Sequence, residues 1–109
     1  MNTIEHHADI CQELHDLYTR KNHDYGDSFH ETYLEEGLAM ARIRLSDKLN
    51  RFKTLSRASQ DISSGHAMVF DKDFAQHVAD ESLRDTLIDL ANYAIMTVME
   101  LDREKENRE

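Results

Sequence analysis

A chain of 109 residues with no proline and only three glycines contains almost nothing that stops a helix. Strands are hard to place in it, because apolar residues recur at steps of three and four and do not alternate. Ile4, Cys11, Leu14, Leu17 and Tyr18 predict a first helix over about residues 3–22, opened by Asn2 and Glu5 as a capping box. Leu38, Ala41, Leu45, Leu49, Phe52 and Leu55 predict a second over about 34–57. Leu83, Leu87, Leu90, Ala91, Ala94, Ile95, Val98 and Leu101 predict a third, from Asp80 as N-cap to about Lys105. A loop is expected at 21–29, with Gly26 at positive φ, and a linker at about 58–70 containing Gly65, followed by a short helical turn at about 72–78. The expected fold is all-α, a three-to-four-helix bundle forming one domain over residues 1–109. Ile88, Tyr93, Met96 and Met99 fall partly outside the core stripe. Such surplus apolar surface on a short chain points to self-association as a dimer or larger homo-oligomer.

Hydrophobic residues make up 39% of the chain and charged residues 32%, which is too patterned for disorder and too charged for a membrane protein. No stretch approaches the roughly 20 apolar residues of a spanning helix. The first residues lack the basic and apolar regions of a secretory signal, and Cys11 is the only cysteine, so a cytoplasmic address is expected. Cys11 itself reads as a small buried hydrophobe. A net charge of -9 opposes binding to duplex nucleic acid. A free nucleotide is compatible with that charge, because a cation held by carboxylates reverses the local sign.

Three constellations carry chemical meaning. Glu81, Asp85 and Asp89 are spaced by four along one edge of the last helix, with Asn92 three further on. Like charges at that spacing repel, so an offsetting partner is expected. Magnesium on Glu81, Asp85, Asp89 and Asp47 is one choice. Basic groups are the other, and the second helix offers Arg44, Lys48 and Arg51 on one edge, next to Asp47 and Asn50. The third constellation is the 21–29 segment, where Asp24, Asp27, Tyr25 and Phe29 surround Gly26. An aromatic there can stack on a base, or it can close the end of the bundle while the acids form turn hydrogen bonds.

Three stretches occur in order: Lys21-Asn22-His23-Asp24-Tyr25-Gly26-Asp27-Ser28-Phe29, Arg44-Leu45-Ser46-Asp47-Lys48-Leu49-Asn50-Arg51, and the run from Asp80 through Asp85, Asp89 and Asn92 to Ala94. Together they resemble the phage and prophage nucleotide modification associated domain of type one, over about residues 21–100. A looser likeness is to the all-α NTP pyrophosphohydrolases of the MazG and dimeric dUTPase type, which hold magnesium on paired acidic helix motifs. Glu81 and Asp85, followed by Asn92, look like the second of those motifs, but Ser82 stands where its glutamate belongs, and Asp47 with Asn50 supplies one charge where the first motif has two.

The resemblance implies a phage-type protein in the host cytoplasm acting on a nucleotide or nucleotide-derived small molecule. As a magnesium-dependent (d)NTP pyrophosphohydrolase it would use Asp85, Asp89 and Lys48 in catalysis. Asp24, Tyr25, Lys48, Arg51, Asn92 and Tyr93 would contact the ligand. The alternatives are a module that binds the nucleotide without turnover, using Lys48 and Arg51 on phosphate, and an acidic interaction protein.

Overall fold

The computed structural model describes residues 2–25 and 27–109, apart from the side chain of Tyr25. The described residues form four helices and no strand: α1 (Thr3–Tyr25), α2 (Ser28–Glu36), α3 (Leu38–Ser64) and α4 (Lys72–Arg108). The all-α bundle read from the periodicity is therefore the architecture. The positive φ expected at Gly26, and any ligand contact by the Tyr25 ring, lie outside the described residues.

Helix α1 starts where Asn2 predicts. The Asn2 Oδ1 accepts from the backbone N–H of Ile4 at 2.8 Å and of Glu5 at 3.4 Å. The 21–29 segment is mostly helical, because α1 runs to Tyr25 and α2 begins at Ser28. What converts it is burial. Tyr33 packs with Met40 and Ala41 of α3, and Phe29 joins their edge. Gly37, at φ 66° and ψ -150°, makes the corner between α2 and α3, a conformation that only glycine adopts without strain. Helix α3 extends through the predicted linker to Gly65, which is left-handed at φ 82° and closes the helix onto the Ile62 carbonyl.

Helix α4 begins two turns before the expected N-cap. Asp71 is the cap, its side chain accepting from the Phe74 N–H at 3.1 Å. Asp80 lies inside the helix, where it accepts from Gln76 at 2.8 Å and from Ser59 of α3 at 3.3 Å. With the Ser63–Gln76 hydrogen bond at 2.6 Å, these contacts run α3 and α4 antiparallel and explain why the 72–78 turn merges with the third predicted helix. Glu81 is correspondingly mid-helical, so capping does not account for it.

Helix α1 lies across α4. Arg84 grips Glu13 with two 2.6 Å hydrogen bonds, and the buried Asn92 donates to the Leu14 carbonyl at 3.2 Å. Cys11, expected in the core, is exposed, because α1 meets the bundle through Leu14 and the half-buried Leu17 and Tyr18 instead.

The hydrogen bond from Arg84 holds the Glu13 carboxyl below its ordinary 4.5. A carboxyl depressed in the folded state stabilises above its unfolded value, and that contribution disappears as pH falls through the folded value. Urea unfolding of the wild type and of Glu13→Gln should therefore differ at neutral pH and converge on acidification below 4.5. A gap that stayed constant with pH would show that the pair does not clamp α1.

Candidate functional site

The middle of α4 presents Asp89 half-buried between two other helices. One carboxylate oxygen accepts from Lys21 Nζ of α1 at 3.4 Å, and the other from Lys48 Nζ of α3 at 3.2 Å. Neither lysine is fully buried, so each pair contributes about 0–1 kcal/mol. The consequence is more local than energetic: two ammonium groups from separate helices converge on one carboxylate.

That carboxylate lines a cleft of about 440 Å³. Helix α1 supplies Tyr18, Lys21 and Asn22 to its wall, the start of α2 supplies Asp27, Ser28 and Phe29, and α4 supplies Asp89, Asn92, Tyr93 and Met96. The Phe29 and Tyr93 rings lie 6.0 Å apart, tilted by 35°. A volume of this size is within the range of about 300–1,000 Å³ typical of small-molecule sites.

The wall made by α2 is fastened from behind. Glu100 of α4 is only 3% exposed, and its carboxylate takes His30 Nδ1 at 2.8 Å and Arg103 Nη1 at 2.6 Å. Arg103 also reaches Asp27 at 4.0 Å. A buried carboxylate is tolerated only when partnered in this way. The Tyr33 hydroxyl nearby is buried with no hydrogen-bond partner among the described residues. Desolvation pushes its pKa up, and the Glu104 and Glu100 carboxylates add to that.

Of the residues singled out from the sequence, Asp27, Phe29, Asp89, Asn92 and Tyr93 line this cleft, and Lys48 joins it through Asp89. Asp24 is exposed and pairs with its neighbour His23 at 3.3 Å. Arg44, Arg51, Asp47 and Asp85 are exposed and make no ion pair among the described residues. Glu81 pairs with His77 at 3.4 Å. Of the ion pairs expected between α3 and α4, Lys48–Asp89 is the one that forms among the described residues.

Magnesium needs hard oxygen ligands gathered at one point. Among the described residues, no group of three or more His, Cys, Asp or Glu is so arranged. Both Asp89 oxygens face lysines, and Asp47 and Asp85 make no ion pair among the described residues. The cleft wall sets Lys21 and the Asp89 carboxylate, to which Lys48 also bonds, beside the Phe29–Tyr93 pair.

Sequence reasoning gave no role to Lys21, His30, Glu100 or Arg103. Glu100 carried a readable signal, as an acid inside the apolar run from Ile95 to Leu101 with Arg103 one turn on. His30 carried none, because its role depends on α2 folding back against α4. No family model, curated protein or solved structure matches the chain. Among the described residues, no helix is long and apolar enough to cross a membrane.

His30→Ala should leave the buried Glu100 with a single partner and cost about 1–3 kcal/mol. Urea unfolding measures that loss, and amide exchange should accelerate first in α2. Unchanged exchange in α2 would mean that the network does not hold the cleft wall.

Proposed function

We propose that the chain binds a nucleotide or nucleotide-derived small molecule in the cleft between α1, α2 and α4, and holds it without hydrolysing it. The observation that carries this reading is the convergence of Lys21 and Lys48 on Asp89 at the wall of a cleft that also holds the Phe29–Tyr93 pair. Lysine ammonium groups bind phosphate as point charges. A phosphate carrying two or more charges is a stronger partner for them than one half-exposed carboxylate, whose pairs contribute about 0–1 kcal/mol each. Aromatic rings beside the phosphate end suit a base, because stacking on an aromatic contributes about 1–3 kcal/mol. Asn92, fixed by its bond to the Leu14 carbonyl, adds an amide to the wall.

The resemblance of the 21–29, 44–51 and 80–94 stretches to the nucleotide modification associated domain agrees with this reading, since those stretches supply Lys21, Phe29, Lys48 and Asp89. A pyrophosphohydrolase of the MazG type would need a gathered set of carboxylates. The ion pairs of Asp89 with two lysines support binding over turnover, because they occupy the carboxylate a metal would need. A nucleotide ligand also reconciles a phosphate site with a chain of net charge -9, because the positive charge is needed at one point only.

The test is a panel of dNTPs and signalling nucleotides offered with and without magnesium, followed by both retained ligand and released products. Stoichiometric retention of intact ligand is expected. Lys48→Ala should weaken it by about 10–100-fold, the worth of a hydrogen bond to a charged group, whereas Asp85→Ala should leave it in place. Magnesium-dependent release of pyrophosphate that Asp85→Ala abolishes would overturn the proposal in favour of the enzyme. No retention of any nucleotide would overturn both.

A further inference from the structure

The apolar stripe that the sequence assigns to the core of the last helix faces outward. At about 100° per residue, Leu87, Leu90, Ala94, Ile95, Val98 and Leu101 share a sector of about 140° that holds no polar side chain between residues 87 and 101, with Asp80, Arg84 and Asp102 flanking it along the helix. The opposite side of α4 meets the rest of the chain, burying Thr86, Ile88, Asn92 and Glu100. Leu87 is left 44% exposed, Ile95 47%, Val98 55% and Leu101 42%. Helix α4 therefore gives the bundle its more polar side and turns its most apolar side away.

The stripe does not end at the edge of α4. Leu90 also lines a mainly apolar groove of about 420 Å³ between α3 and α4, together with Leu38, Ala41, Leu45 and Leu49 and the polar Arg42, Ser46 and Thr97. Leu38 and Leu49 are themselves exposed. One face of the molecule thus carries an apolar ridge and an apolar groove side by side. A two-fold axis can set each ridge into the other copy's groove, which is the self-complementarity an isologous interface requires.

The surface area says how large the missing contact is. A compact monomer of 12.7 kDa has about 6,200 Å² of accessible surface, whereas this chain has 8285 Å². The surplus of about 2,000 Å² exceeds the roughly 800 Å² that each partner buries in a standard interface, and it matches the obligate class. The radius of gyration agrees, at 17.3 Å against about 13 Å for a compact chain of this length. Only five hydrophobic residues among those described are buried, too few to support a freestanding core of this length.

We propose that this α3–α4 face is the interface of a homodimer, with a second copy of the same chain completing the core along α4. Charge is compatible with that face. Two chains of net charge -9 repel except where acids are absent, and the sector from Leu87 to Leu101 is free of them.

Sedimentation equilibrium of the full chain tests this. The wild type should have twice the 12.7 kDa chain mass at micromolar concentration. Val98→Glu, which places an acid in the interface once per copy, should raise the dimer dissociation constant by about 100-fold or more. Because that variant can also unfold the chain, a second one keeps the test decisive. Ala94→Cys in a Cys11→Ser background lies mid-stripe, and a short bifunctional maleimide should cross-link it into a covalent dimer without loss of helical circular dichroism. A wild-type mass of one chain, or a dimer that Val98→Glu leaves intact while Ala94→Cys fails to cross-link, would overturn the proposal.

Discussion

Asp89 is the point at which three helices meet through charge. Its two oxygens take one lysine from α1 and one from α3, so a single carboxylate draws Lys21 and Lys48 together at a cleft that either alone would leave to solvent. The contribution to stability is small, since half-exposed ion pairs contribute about 0–1 kcal/mol. Its importance is positional. It holds the two ammonium groups side by side, each through a weak, half-exposed pair.

The rest of the molecule supports that placement. Arg84 and Asn92 fix α1 across α4 through Glu13 and the Leu14 carbonyl. Glu100 fixes α2 from the opposite side of the cleft through His30, and Arg103 reaches Asp27 beside it. Each fastening is polar, which is why α4 buries Asn92 and Glu100 toward its own chain while its leucine stripe looks outward. A helix that spends its polar side on positioning a site must bury its apolar side elsewhere, and on this account a second copy receives it.

That division explains what could and could not be read from residues alone. Helical periods identify α3 and α4, and the stripe from Leu87 to Leu101 was legible as a buried surface. Periodicity cannot say whose surface covers it, so an assignment to the chain's own core failed. Asp71 and Asp80 are equally good caps by composition, and the choice depended on Ser59 and Ser63 of α3 bonding to Gln76 and Asp80. Helix α2 was hidden because its formation rests on Tyr33 packing against Met40 and Ala41. At the site, Lys48, Asp89, Asn92 and Tyr93 were visible because they sit on regular helices. Lys21 becomes a partner only when α1 lies against α4, and His30 only when α2 folds back, long-range events with no local signature.

Asp89 also separates binding from metal catalysis most cleanly, because the two assign its carboxylate opposite roles. As the stand-in for a phosphate it competes with ligand, and as a metal ligand it recruits it. Calorimetric titration of Asp89→Asn with the nucleotide retained by the wild type should show affinity raised by about fivefold, with no dependence on magnesium. Affinity that falls instead, or wild-type binding that requires magnesium and disappears in the variant, would contradict the account.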